Sequence, residues 1–289
     1  MRPPLILARA AARLGSVMDR LETTARHLVA RAGERVRAAW HGTRVVEHKG
    51  AVDLVTATDR EVEALVVAGL RAGFPDHRIV AEEATGARVP ARPGPAEYAW
   101  FLDPLDGTVN FAHGVPHVAV SLALTRGDDL LLGIVYDPLR DETFFARRGA
   151  GASLNGTPIA VSTIDRLDHA LLATGFPYDR REHTEFYLGF LGDFLHRARD
   201  VRRAGSAALD LCYVACGRFE GFWEWRLKPW DTAAAALIIC EAGGAVTDFS
   251  GRAYDPFGEQ TLASNGHVHR AMLDVLAPRL TAAPGPRVS

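Results

Sequence analysis

Lysine is almost missing from this 289-residue chain: among 33 basic residues only Lys49 and Lys228 are lysines. A chain that writes its cations as arginine can reserve the compact, mobile ammonium for particular places, so both lysines are candidate functional positions. There is no excess of positive charge either. With 35 acidic residues and a formal net charge of -2, nothing electrostatic points to nucleic acid or an acidic membrane as the main partner. Cysteine is scarce and odd in number, three in all, which argues against a disulfide framework. Cys212 and Cys216 share a helical face, but no neighbouring His or further Cys turns them into a metal site, and they read as buried thiols. No apolar run approaches the roughly 18 residues that a membrane span needs. Arginines interrupt the short LIL stretch near the start, against a secretory signal, and a cytoplasmic protein is expected. There is no internal repeat, low-complexity tract or GK[ST] phosphate loop. GAGASLNG at 149–156 lacks the full GxGxxG and lies in a strand-rich stretch, so it reads as a hairpin.

What remains is ordinary for a globular enzyme: 48% hydrophobic and 24% charged residues, in a chain long enough for one large domain or two packed halves. Helical spacing of Leu21, Ala25, Leu28, Val29 and Val36 predicts a helix from Met18 to Trp40. Residues 1–17 ahead of it, and 279–289 at the other end, are expected to be disordered tails around a single domain over 18–278. VDLVTATD is β-rich, and Asp59 stands where an N-cap belongs before the apolar face of Val62, Leu65, Val66 and Leu70. RIVAEE reads as a buried strand ending in Glu82 and Glu83, and ATGARVPARPGP as an exposed loop. YAWFLD is a second strand, expected to stop at Pro104. From His117 to Val161, apolar runs alternate with turn signals, as in an antiparallel meander. Beyond it, strand-like segments (ALLATGF, GFWEW, GAVTDF) alternate with helical ones over Glu185–His196, Ala207–Cys216 and Thr232–Glu241. The pattern predicts an α/β (α+β layered) fold of helices packed on sheets, in two subdomains of roughly 18–162 and 163–278.

The chemistry concentrates in D-P-L-D-G-T at 103–108. Asp103 and Asp106 flank a proline, Gly107 permits close backbone approach, and Thr108 and Asn110 add polar side chains. Two carboxylates and the Leu105 carbonyl suit a hard divalent cation, and free N–H groups at Gly107 and Thr108 suit a phosphate. In isolation the alternative for the motif is an ordinary Asp-rich surface turn. Other carboxylates stand at strand ends and helix starts, where α/β folds gather their sites: Glu82 and Glu83, Asp59, and Asp231, which reads as the cap of a helix in PWDTAAAALIICEAGG. Convergence of these groups would be repulsive and would favour a bound cation.

VDLVTATD, IVAEE, WFLDPLDGTVNFAHGVPHVAVSLAL and PWDTAAAALIICEAGGAVTD, in this order from about residue 20 to 275, resemble the signature of the inositol monophosphatase family. The resemblance implies a sandwich of alternating helix and sheet layers, like that of inositol monophosphatase and fructose bisphosphatase. It implies two or three Mg²⁺ ions per site on Glu82, Asp103, the Leu105 carbonyl, Asp106 and Asp231. Glu82 and Thr108 would hold the attacking water, with Asp59 in support, and Gly107 and Thr108 would cradle the phosphate. Gly205, Ser206, Ala207 and Glu224 would meet the substrate's ring and hydroxyls. Lys49 lies near a family lysine at the first metal-binding loop, and Lys228 falls between Glu224 and Asp231. The implied activity is hydrolysis of a small phosphomonoester, myo-inositol monophosphate first, by a Li⁺-sensitive homodimer. Histidinol phosphate, fructose 1,6-bisphosphate and 3′-phosphonucleotides are the alternative substrates. An aspartyl-phosphate mechanism of the haloacid dehalogenase type needs its nucleophilic Asp at position 104, where Pro104 stands. A binding protein that has lost its chemistry would be expected to lack one of these carboxylates, and none is missing.

Overall fold

The structure, a computed structural model, describes residues 5–42, 46–48, 54–86, 88 and 90–282. Helix α1 (Leu5–Trp40) starts well upstream of the expected Met18, so the segment foreseen as a tail is helical from residue 5 onward. Strands β1 (Val46–His48) and β2 (Leu54–Thr56) form a short antiparallel pair leading into α2 (Ala57–Gly73). Lys49 lies outside the described residues. Next come β3 (Arg78–Ala81), the single turn α3 (Glu82–Thr85), β4 (Tyr98–Asp106) and α4 (Thr108–His113). The meander follows as β5 (Ala119–Arg126), β6 (Asp129–Asp137), β7 (Glu142–Arg147), β8 (Ala152–Leu154) and β9 (Thr157–Pro158). The chain continues through β10 (Leu171–Thr174), α5 (Thr184–Leu195), β11 (Asp200–Arg202), α6 (Ala207–Ala215), β12 (Gly221–Trp225), α7 (Pro229–Glu241), β13 (Ala245–Thr247), β14 (Gln260–Ser264) and α8 (His269–Ala282).

Two sheets organise these elements. Seven strands, β3 to β9, lie side by side in chain order, and five form the second sheet in the order β11-β10-β12-β14-β13. The expected subdomain boundary near 162 falls in the connection between the last strand of one sheet and the first of the other. Asn155 and Gly156, both at positive φ, turn β8 into β9, so 149–156 is a hairpin rather than a dinucleotide loop.

Alternation along the strands sends side chains to two separate cores. Trp100, Leu102, Leu122, Leu124 and Ile134 pack against α1 and α2 through Leu21, Leu28, Val62, Val66 and Leu70. Phe101, Ala123, Val135 and Phe144 point the other way, into a core shared with α6 and α7. Phe222, Ala173 and Ala263 of the second sheet reach that same core. The opposite face of the second sheet, with Leu172, Trp223 and Leu262, packs on α5 and α8 through Phe190, Phe194 and Met272. The result is helix, sheet, helix, sheet, helix. Helix α7 is buried nearly all round from Trp230 to Ile239, as a helix between two sheets must be. Its alanines let β6 come close: a Cβ on Gly133 would lie 2.4 Å from the Ala234 carbonyl oxygen.

Candidate active site

The strand β4 does not stop at Pro104. It runs on to Asp106 through a register shift, with Asp103 opposite Ser121 and Asp106 opposite Ala119 on β5. Three steps on β4 thus face two on β5, which is a β-bulge, and a bulge tolerates the proline's missing N–H. In a regular strand, residues three apart point to opposite faces. The extra residue cancels that half-turn, and both carboxylates reach the same cleft. Gly107 then takes φ 92°, and a Cβ there would sit 2.9 Å from the His117 carbonyl oxygen, so only glycine fits this corner.

Eleven of the twelve residues expected at the site line one cleft of about 910 Å³: Glu82, Asp103, Leu105, Asp106, Gly107, Thr108, Gly205, Ser206, Ala207, Glu224 and Asp231. Lys228 lines it too. The twelfth, Asp59, is 0% exposed and sits behind the wall. It touches the cleft through Thr108, whose hydroxyl lies 3.0 Å from Asp59 Oδ1 and 3.1 Å from the Leu105 carbonyl oxygen.

Asp59 and Asp231 are not N-caps. Each occupies the third helical position and reaches back to the cap residue's N–H: Asp59 Oδ2 to Thr56 at 2.9 Å, and Asp231 Oδ2 to Lys228 at 2.7 Å. This is the reciprocal half of a capping box. A carboxylate at the third position satisfies the helix start and still projects beyond it. Glu82 likewise opens α3 instead of closing a strand, since β3 ends at Ala81.

Asp106 is held from the other half of the molecule. Its Oδ2 accepts from the Ser206 hydroxyl at 2.6 Å and from the Ala208 N–H at 2.7 Å, at the start of α6. Asn110 Nδ2 donates to the carbonyls of His117 and Ala204, both at 2.9 Å, closing the same clasp. Ser206 therefore anchors a carboxylate and caps α6, a use that its expected contact with substrate did not foresee.

Burial raises the affinity of the whole cluster for protons. Asp103, 2% exposed, is pushed well above the usual carboxylate range by desolvation first, then by the charges of Glu82, Asp106 and Asp231. Desolvation lifts Asp106 to about 6 against its bonds to Ser206 and Ala208, and Asp231 to about 7 against its bond to Lys228. Glu224 is raised well above its ordinary value by burial, with the Arg203 guanidinium opposing. Arg203 and Asp210, neither singled out from the sequence, also line the cleft, and Asp210 Oδ1 lies 3.1 Å from His117 Nε2.

Among the described residues, no group of three or more His, Cys, Asp and Glu side chains is arranged as it stands to hold a metal ion. The carboxylates nonetheless stand near enough to raise one another's pKa, which like charges do when nothing neutralises them. The donor set fits a hard cation. The lining contains no His or Cys, and oxygen-only donors are what Mg²⁺-type ions select. The bonds described above use one oxygen each of Asp106 and Asp231 and leave the other out.

A buried oxygen-donor cluster on a strand bulge and at helix starts, in a cleft of a layered αβαβα fold, has the donor chemistry of a hard-cation site. Residues 17–283 match the model of the inositol monophosphatase family, and the chain belongs to that family. A Pseudomonas aeruginosa protein named Nus factor SuhB is 44% identical over 237 residues, 81% of this chain and 87% of that one. Inositol monophosphatase 2 of Solanum lycopersicum is 42% identical over 248 residues, 85% and 94% of the two chains. The solved structure of a Thermotoga maritima IMPase superposes with a TM-score of 0.80 at 37% identity, covering 91% of this chain and 99% of that one. The protein is a phosphatase of this family. Among the described residues no helix is long and apolar enough to cross a membrane.

Proposed function

We propose that the protein hydrolyses myo-inositol monophosphate to inositol and phosphate in a Mg²⁺-dependent reaction. The observation that carries this reading is the meeting of Glu82, Asp103, Asp106 and Asp231 in one cleft, near enough for their charges to act on Asp103. Glu82, Asp103, the Leu105 carbonyl, Asp106 and Asp231 would hold two or three Mg²⁺ ions. Bound there, such ions polarise a phosphoryl oxygen and supply a nucleophilic water at neutral pH.

The chain's own groups account for the rest. The Thr108 hydroxyl donates to Asp59, so its lone pairs are turned to accept a hydrogen bond from the attacking water, with Glu82 as second acceptor. Gly107 and Thr108, at the start of α4, offer backbone N–H groups to the phosphate oxygens. Across the cleft, Glu224 is 8% exposed beside the charge of Arg203. A carboxyl of raised pKa can both give and take hydrogen bonds, which suits the vicinal hydroxyls of a polyol. Gly205 and Ala207 line the same cleft. The volume of about 910 Å³ exceeds what inorganic phosphate alone requires and lies within the range of small-ligand sites.

A cytoplasmic homodimer completes the proposal, on the strength of the family resemblance, and sedimentation velocity tests the dimer. A role of the kind that the name Nus factor gives the Pseudomonas protein is supported by the 44% identity alone. The cleft carboxylates bear on hydrolysis directly. Phosphate release from a panel of myo-inositol monophosphate, histidinol phosphate, fructose 1,6-bisphosphate and a 3′-phosphonucleotide, with and without Mg²⁺, decides the substrate. Preference for any of the last three would replace inositol phosphate in this assignment.

A further inference from the structure

Helix α2 presents two acidic groups one turn apart on its buried face, Asp59 and Glu63. Asp59 steadies Thr108. Glu63 does something different. Its side chain, 9% exposed, spends both oxygens on backbone donors of the next helix. Oε2 accepts from the Glu83 N–H at 2.8 Å and Oε1 from the Ala84 N–H at 2.9 Å. Those donors are the first-turn N–H groups of α3, which no carbonyl of a four-residue helix satisfies.

Ala81, the cap residue of α3, makes no side-chain capping bond. Glu63 therefore supplies from outside the cap that the local sequence lacks. The residue fixed in place this way is Glu82, which stands between β3 and those two N–H groups. A buried carboxylate in the apolar stripe of Val62, Val66 and Leu70 is costly unless fully bonded, and its bonds run to the turn that carries Glu82.

We infer that Glu63 is a positioning residue: it holds the start of α3 so that the Glu82 carboxylate projects into the cleft at the angle a cation needs. The inference rests on the proposed placement of Glu82 among the cation's ligands. Outer partners that orient a ligand typically govern metal affinity by about 10- to 100-fold.

The test is Mg²⁺ binding to the full chain by isothermal titration calorimetry, beside the melting temperature of the chelator-treated protein. In Glu63→Gln the amide keeps one acceptor and turns an N–H towards the second donor. Its Mg²⁺ dissociation constant is expected to rise about 10- to 100-fold, and kcat at saturating Mg²⁺ to recover most of its value. Glu63→Asp keeps the charge but loses the reach to both N–H groups, and a weakening at least as large is expected. A lowered melting temperature with unchanged Mg²⁺ affinity overturns the inference, because Glu63 would then serve the scaffold alone. Failure of both variants to fold overturns it in the same way. If the unsubstituted protein binds no Mg²⁺, the metal-dependent reading itself has failed. Binding that survives intact in Glu63→Gln removes only the role of Glu63.

Discussion

Treating the protein with a chelator should reverse the usual pH dependence of its stability above neutrality. A buried carboxyl whose folded pKa is raised binds more protons in the folded than in the unfolded state. Stability then falls as pH rises through the folded value. Asp231 moves from 3.8 to about 7, so the linkage relation gives a loss of about 0.8 kcal/mol between about pH 6.5 and 8 from this group alone. Asp103 and Glu224, raised further, add in the same direction. Water reaching Asp231 from the open side of the cleft subtracts from it. A total loss of about 1–3 kcal/mol is expected, about 2–4 °C in melting temperature per kcal/mol.

The window matters. His77 and His269 are depressed by burial, and a depressed imidazole raises stability as pH climbs to its ordinary 6.5. Below that pH the histidines oppose the carboxyls. The depressed carboxyls, such as Asp193 beside Arg279 and Glu142 beside Arg218, act only below about pH 4–5. Millimolar Mg²⁺ should abolish the decline, and at 100 times its dissociation constant should add about 2.7 kcal/mol. The assay is thermal or urea denaturation at closely spaced pH values, with chelator and with Mg²⁺. Stability that is flat or rising from pH 6.5 to 8 in chelator would refute the reasoning.

Three further outcomes are expected. Gly107→Ala forces a Cβ to 2.9 Å from the His117 carbonyl at φ 92° and should cost about 1–3 kcal/mol in urea unfolding, with turnover largely lost. Ser206→Ala removes the hydroxyl from Asp106 and the cap from α6. It should lower stability by about 1–2 kcal/mol and raise the Mg²⁺ concentration for half-maximal activity; an unchanged Mg²⁺ dependence would count against the clasp. Glu224→Gln should raise KM for inositol monophosphate more than it lowers kcat, and should leave a simple aryl phosphate, which has no vicinal hydroxyls, nearly unaffected.

Much of this site is legible in the chain itself. D-P-L-D-G-T, IVAEE and PWDT contain Glu82, Asp103, Asp106 and Asp231, four of the carboxylates that line the cleft, because those residue types and their placement near element ends are local features. The meander and the apolar α7 are equally visible in the spacing of turns and hydrophobic residues. What the chain does not display is pairing. Pro104 reads as a strand terminator because the bulge that accommodates it exists only in the register of β4 against β5. Asp59 and Asp231 read as caps because a capping box is recognised by its back-bond to Thr56 or Lys228. The bond from Ser206 to Asp106 spans 100 residues, and no local spacing announces it. Strands β11 and β14 are short segments that owe their assignment to their neighbours in the second sheet. Glu63 had one signal, a charged residue within the apolar stripe of α2, and its meaning emerged with the N–H groups of α3 opposite it.

The most direct test is phosphate release from myo-inositol monophosphate at saturating Mg²⁺ by the unsubstituted protein and by Asp231→Asn, whose melting temperatures are compared first. Turnover that needs Mg²⁺ and disappears in the folded Asp231→Asn protein is the predicted result. Near-normal turnover in that variant, or turnover by the unsubstituted protein that persists in chelator, would contradict a cation-dependent site built on these carboxylates.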